Sequence, residues 1–255
     1  MPHPSTHVYV FDRDSDLLDS ALRLWNQACE EGVRRKKQFW AALSGGKTPI
    51  PFYRELARQN RPDSWKAIHL FLVDERFGPL DHPDSNGGMI GENLVRRAGI
   101  AAENMHSIPL GQETSEESAR AYEETLRSFF RPDPGGFPVF DFILLGIGED
   151  GHTASLFPGS PALKETERWV VAVNLDEVRR NRVTLTLPVL NRAGKVVFLV
   201  QGEKKAEIVR RVIVERESSL PAARVQPIQG EPIFFLDREA GRRLPLHLQG
   251  NRGTS

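Results

Sequence analysis

The sequence predicts an α/β fold, Rossmann-like in character, with a mostly parallel central sheet flanked by helices. Three observations carry this. Short apolar runs alternate with longer amphipathic stretches along the chain. Several of the short runs are apolar on consecutive residues, the pattern of a strand covered on both faces. Glycine-rich or charged turns follow three of them, at the strand ends where open sheets of this class bind ligands.

Val8–Phe11 reads as the first strand. Leu18, Ala21, Leu22, Trp25, Ala28 and Cys29 then recur at three- and four-residue spacing, which makes a helix face, and Trp25 and Cys29 are expected to pack in the core. Strands follow at Gln38–Leu43 and Ile68–Val73. Thr114-Ser-Glu-Glu117 is a capping-box pattern that opens a helix running to Phe130. The Pro/Gly cluster from Arg131 to Pro138 reads as a loop feeding the next strand, Phe140–Leu145, because strand–helix alternation resumes after it. Val170–Leu175, Val183–Leu187, Val196–Val200 and Ile233–Leu236 are further strands, and Ala206, Val209, Val212 and Ile213 mark a helix with Arg and Lys on its solvated side. With no internal repeat or linker, residues 1–255 are expected to form a single α/β domain.

Charge and composition narrow the function. The 255 residues carry 34 basic and 34 acidic side chains, so the basic excess of a nucleic-acid-coating surface is missing and no nucleic-acid partner is expected. A hydrophobic fraction of 39% with 27% charged residues is that of a globular chain. At this length about 70–75% of the unfolded surface is buried on folding, enough to hold a core without disulfide or metal. Cys29, the single cysteine, forms no internal disulfide and builds no zinc site alone. The first residues lack the basic and apolar regions of a signal peptide, and no stretch approaches the ~18 apolar residues of a membrane span. The expected address is the cytosol, with no membrane partner. Helix faces alone do not say which apolar patch two copies would share, so the oligomeric state stays open.

The first unusual turn follows Phe39–Leu43: Ser44-Gly-Gly-Lys-Thr-Pro49 is a glycine turn with Pro49 where a helix begins. Such a junction brings main-chain N–H groups and a helix dipole to an anion. Lys47 and Thr48 add a charge and a hydroxyl. The ending resembles a nucleotide P-loop, but Ala41 stands where its first glycine is required, and the short loop suits one phosphate monoester better than a triphosphate. The second turn, Asp74-Glu75-Arg76, drives two carboxylates and a guanidinium to a strand end, where charge is costly unless paired or held by a ligand. Arg76 either grips phosphate with its fork or pairs internally with Asp74 or Glu75. Asp81-His-Pro-Asp-Ser-Asn86 lacks the closing glutamate of a calcium loop.

The third turn carries the strongest signal. Gly146-Ile-Gly-Glu-Asp-Gly151 matches the dinucleotide fingerprint in form, but Glu149 and Asp150 occupy the place of a pyrophosphate, and Pro158 and Pro161 interrupt the following helix too early. What the turn presents is Asp150 and His152 on a glycine-rich bend, a candidate general base with a carboxylate to orient it. No Gly-x-Ser-x-Gly elbow is present, so water is the expected nucleophile.

Leu43-Ser-Gly-Gly-Lys-Thr-Pro49, Val73-Asp-Glu-Arg76, Ser85-Asn86, Leu145-Gly-Ile-Gly-Glu-Asp-Gly-His-Thr-Ala-Ser-Leu-Phe-Pro158 and Arg182-Val-Thr-Leu-Thr-Leu-Pro-Val-Leu-Asn191 resemble the 6-phosphogluconolactonase family, in family order. Gly202-Glu-Lys-Lys-Ala206 and Leu220-Pro-Ala-Ala-Arg-Val-Gln-Pro227 extend the resemblance over residues 40–240. It implies hydrolysis of 6-phospho-D-glucono-1,5-lactone in the oxidative pentose phosphate pathway, on the sugar-phosphate isomerase/deaminase type of fold, with no metal or organic cofactor. By motif position it implies His152 as general base and Asp150 as the group orienting it. The phosphate would be held by the Ser44, Gly45, Gly46, Lys47 and Thr48 loop, with Arg76, Arg182 and Lys205 supplying positive charge. Asp74 would contact substrate or brace Arg76. The family usually has serine where Lys47 stands. A related deaminase needs a glutamate five residues after the histidine, and Phe157 occupies that position here. A main-chain N–H near Gly45 or Gly148 is left open as oxyanion donor.

Overall fold

The computed structural model describes residues 7–59, 65–79, 82–174 and 181–249. Among these, seven strands form one parallel sheet: β1 (His7–Phe11), β2 (Phe39–Leu43), β3 (Ile68–Leu72), β5 (Met105–His106), β6 (Phe142–Leu145), β9 (Val196–Val200) and β10 (Ile233–Asp237). Their order is β1-β10-β9-β6-β2-β3-β5. All residues of β6 and β9 are buried, as consecutive apolar runs require when both faces are covered.

Helix α1 (Asp14–Lys36) buries Leu17, Ala21, Leu22, Trp25 and Ala28, with Asp14 and Asp16 in its first turn and Arg34, Arg35 and Lys36 in its last, the order its dipole favours. Trp25 meets Phe39, Phe52 and Phe142 edge-on beneath the sheet, while Cys29 is half-buried. Helix α2 (Ile50–Arg58) packs on α1 and on α3, which runs Asn86–Ile90, widens into a π-helical turn at Gly91–Val95 and ends with Arg96–Ala98. Helix α4 (Ser115–Phe130) opens with both bonds of the expected capping box between Thr114 and Glu117.

A second, three-stranded antiparallel sheet stands beside the first, in the order β4 (Asp74–Arg76), β8 (Arg182–Leu185), β7 (Val170–Val173). It is the antiparallel part that a mostly parallel expectation leaves room for. Asp74-Glu-Arg76 is itself a strand, set off from β3 by Val73 and paired with β8, and Leu187 begins the short helix α5 (Leu187–Leu190) rather than ending a strand. Pro188 explains the latter, since its ring fixes a helical φ in the first turn. Leu175 and Asp81 lie outside the described residues. Helix α4 fastens the two sheets: Tyr122 Oη bonds the main chain of Leu72, and the Glu123 carboxylate accepts the N–H groups of Trp169 and Val170. The remaining helices are α6 (Ala206–Arg210, continued by a π turn Arg211–Glu215), α7 (Arg238–Gly241) and α8 (Leu246–Gln249). Among the described residues no helix is long and apolar enough to cross a membrane.

From β2 the chain builds outward through β3 to β5; from β6 it builds the other way through β9 to β10. The order therefore reverses between β2 and β6, and in open α/β sheets a crevice opens outside the carboxyl ends of such a pair.

Candidate active site

The crevice at that reversal is a cleft of about 480 Å³. All eleven residues singled out from the sequence line it: Ser44 to Thr48 from the turn after β2, Asp74 and Arg76 from β4, Asp150 and His152 from the turn after β6, Arg182 from β8, and Lys205 from the turn after β9.

The glycine turn is shaped by a close approach. A Cβ on Gly45 would lie 1.7 Å from Asn86 Oδ1, so only glycine fits, and Gly46 holds φ at 95°, where a side chain is strained. Buried Tyr53, one turn into α2, donates to the Ser44 carbonyl at 2.6 Å and anchors the loop from below. The Ser44 hydroxyl is buried without a partner, whereas the start of α2 offers little: the Ile50 N–H bonds the Lys47 carbonyl, and Pro49 and Pro51 carry no N–H. Lys47 is exposed at the rim.

The acidic turn divides its charges. Glu75 is fully committed to structure: its carboxylate accepts from the N–H groups of Arg76, Asn86 and Gly87 and from Ser85 Oγ, all within 2.9 Å, and thereby seats the start of α3. Arg76 pairs with neither neighbouring carboxylate; its guanidinium donates to the Asp84 carbonyl, and its Nε is buried with no partner. Directly opposite in the β4–β8 register stands Arg182, whose Nε is likewise buried and unpartnered. Burial pulls the Arg182 guanidinium below its ordinary pKa, and the charge of Arg76 adds to the pull. Two like charges facing each other across a strand pair are destabilising on their own. An anion between them removes that cost. Lys205, half-buried, is also lowered by burial, against the opposing effect of Glu149 and Asp150.

In the third turn His152 Nδ1 lies 2.5 Å from Asp150 Oδ1, which also accepts the His152 main-chain N–H at 3.1 Å. Burial works to raise the Asp150 pKa, but these bonds and the imidazole outweigh it and hold the carboxyl below its usual range. The bond at Nδ1 fixes the tautomer that leaves Nε2 as acceptor. Glycine is again required. A Cβ on Gly148 would sit 2.0 Å from His152 Nδ1. Phe157 packs against the imidazole with ring centroids 4.7 Å apart. No long helix follows, as Pro158 and Pro161 foretold; a short 3-10 turn at Pro161–Lys164 takes its place.

Residues 12–234 match the sequence model of the family described as Glucosamine-6-phosphate isomerases/6-phosphogluconolactonase. The chain belongs to that family. It is 41% identical to a 6-phosphogluconolactonase of Synechocystis sp. over 230 residues, 89% of this chain and 94% of the relative. The 6-phosphogluconolactonase of Rattus norvegicus is 38% identical, with 94% of each chain covered. Among solved structures, a 6-phosphogluconolactonase from Thermotoga maritima superposes with a TM-score of 0.79 at 31% identity, covering 91% of this chain and all of the other. A monomeric glucosamine-6-phosphate deaminase at 23% identity shares the fold, with a TM-score of 0.77 over 93% of this chain and 100% of that one.

Within this family fold, Asn86 and Ser155 are among the cleft residues that escaped the sequence reading of the site. Asn86, 3% exposed, fills the space left by Gly45, and Ser155, 1% exposed, donates to Asp74. Ser85-Asn86 was visible as a family motif, and its place at a helix start, where Ser85 Oγ caps the Gly88 N–H, was the available signal. Ser155 carried no signal apart from its motif, because its partner lies 81 positions away.

Proposed function

We propose that this chain hydrolyses 6-phospho-D-glucono-1,5-lactone to 6-phospho-D-gluconate, the lactone-opening step of the oxidative pentose phosphate pathway. The observation that carries the reading is the meeting, in one cleft, of Arg76 and Arg182, neither in a salt bridge among the described residues, with an Asp150-supported His152. The two guanidiniums call for a doubly charged anion such as a phosphate monoester. Main-chain N–H groups of the Ser44–Thr48 loop, with Lys205, complete its surroundings.

With the phosphate so held, His152 Nε2 takes a proton from water as the water oxygen bonds to the lactone C1. The tetrahedral adduct then collapses, the C1 to ring-oxygen bond breaks, and the imidazolium returns the proton to the departing oxygen. Asp150 stabilises the imidazolium between these steps. No group on the protein is covalently modified.

The test is a coupled assay in which fresh lactone is made in situ from glucose 6-phosphate and its product is followed with 6-phosphogluconate dehydrogenase. Acceleration well above spontaneous opening, abolished in His152→Ala, is the expected result. A folded chain that binds 6-phosphogluconate without accelerating the reaction would be a sugar-phosphate binder instead.

A further inference from the structure

Asp74 is a buried carboxylate that forms no salt bridge among the described residues. It does not brace Arg76. Ser155 Oγ donates to its Oδ2 at 2.6 Å, and Asn86 Nδ2 donates to its Oδ1 at 3.2 Å and to its main-chain carbonyl at 2.9 Å. Ser155 lies three residues beyond His152 on the same loop. Asn86 lies against Gly45 in the glycine turn. Between His152 and Ser155 the chain reverses at Ala154, which holds φ at 51°, a left-handed conformation rare for a residue with a side chain. The isolated bridge between Thr153 and Leu156 closes this reversal, and the Ser155 N–H bonds Thr184 Oγ1 on β8.

We propose that Ser155 is a positioning residue for the base. Through Asp74 and Asn86 it fastens the loop carrying His152 to the loop proposed to take the phosphate. The separation of base and anion pocket is thus set by three buried side chains, none of them in a salt bridge among the described residues. Non-glycine residues in the left-handed region persist where the surroundings over-determine them, and here the Ser155–Asp74 bond is what Ala154 delivers. This inference rests on the lactonase reading and adds to it a residue that acts through others.

Ser155→Ala removes one hydroxyl. The expected result is a kcat lowered by between about tenfold and a hundredfold, the range for a base displaced by up to 1 Å. Affinity for 6-phosphogluconate, read by calorimetry, should stay within about threefold, because the phosphate contacts are untouched. Asp74→Ala, which removes the acceptor, should lose kcat similarly, and the double variant should be no worse than the poorer single one, since both break the same link. Should Ser155→Ala not fold, Ser155→Cys, which fills the space with a weaker donor, carries the same test. A Ser155→Ala enzyme with the kcat of the unaltered chain overturns the proposal. Additive losses overturn it too, as does an Asp74→Ala variant that raises KM alone, which would make Asp74 a substrate contact. An unaltered chain that fails to open the lactone removes both readings; an active chain indifferent to Ser155 removes this one only.

Discussion

Strand β6 has an aspartate at each end, and the two are treated in opposite ways. Asp141, just before the strand, is 5% exposed and saturated: Arg35 and Lys36 each approach to 2.8 Å, and the Trp40 N–H donates to it at 2.7 Å. Asp150, beyond the other end, is half exposed, and its carboxylate bonds the main chain and ring of His152. The cations follow the same division. Arg35 and Lys36 have a carboxylate, whereas Arg76, Arg182 and Lys205 form no salt bridge among the described residues. Salt-bridged charge at one end of the sheet holds the fold, and charge outside any salt bridge at the other end suits a ligand.

The comparison breaks most visibly at His152. His152→Ala should cost about 10²–10⁴ in kcat with little change in KM, measured in the coupled assay against spontaneous opening. A kcat equal to that of the unaltered chain would reduce Asp150–His152 to a second structural pair. Next comes Arg76→Ala. Loss of a charge-assisted bond worth about 1.5–3 kcal/mol should raise KM for the phosphorylated lactone by about 10–100-fold, with kcat less affected. Its melting temperature without ligand should not fall, because the substitution relieves the repulsion with Arg182. Equal damage toward an unphosphorylated lactone would contradict a phosphate role.

Asp141→Ala should do the reverse. Leaving the half-buried Trp40 N–H unpaired costs about 1–3 kcal/mol of stability, read by urea unfolding, while KM and kcat of the folded fraction stay put. Exposed Arg35 adds little to that cost. A further test is a pH dependence near Lys36, where His69 Nδ1 and His106 Nε2 lie 3.1 Å apart. Burial, with help from His69, lowers His106 from 6.5 to about 4. The unfolded chain therefore binds more protons in that window, and stability should decline as pH falls from 6.5 toward 4. His106→Phe should flatten this decline in urea midpoints taken across the window; an unchanged slope would assign it to other groups.

Much of this was legible beforehand for a physical reason. Strands such as Val196–Val200 are apolar at every position because both faces are covered, and that pattern survives without any partner in view. The strand Asp74–Arg76 has no such pattern. It is polar throughout and exists because Thr184, Val183 and Arg182 pair with it, so only the folded chain reveals it. The site divides likewise. Glycine turns and the Asp150–His152 spacing are local and could be read, and Arg182 and Lys205 were reached through the family resemblance. That Gly45 is required by Asn86, and that Asp74 serves Ser155 rather than Arg76, are facts of tertiary contact.

The reversal of strand order between β2 and β6 has a consequence for the folding equilibrium. The cleft there draws its lining from positions between Ser44 and Lys205, so no short piece of the chain contains it. An anion held in it is bound by the native state and not by the denatured one. At a hundredfold excess over Kd such a ligand deepens native stability by about 2.7 kcal/mol, and the gain grows with the logarithm of its concentration. Occupancy of the crevice thus acts as a reversible clasp on the whole chain, and the abundance of the molecule in a cell would come to track the supply of whatever fills it.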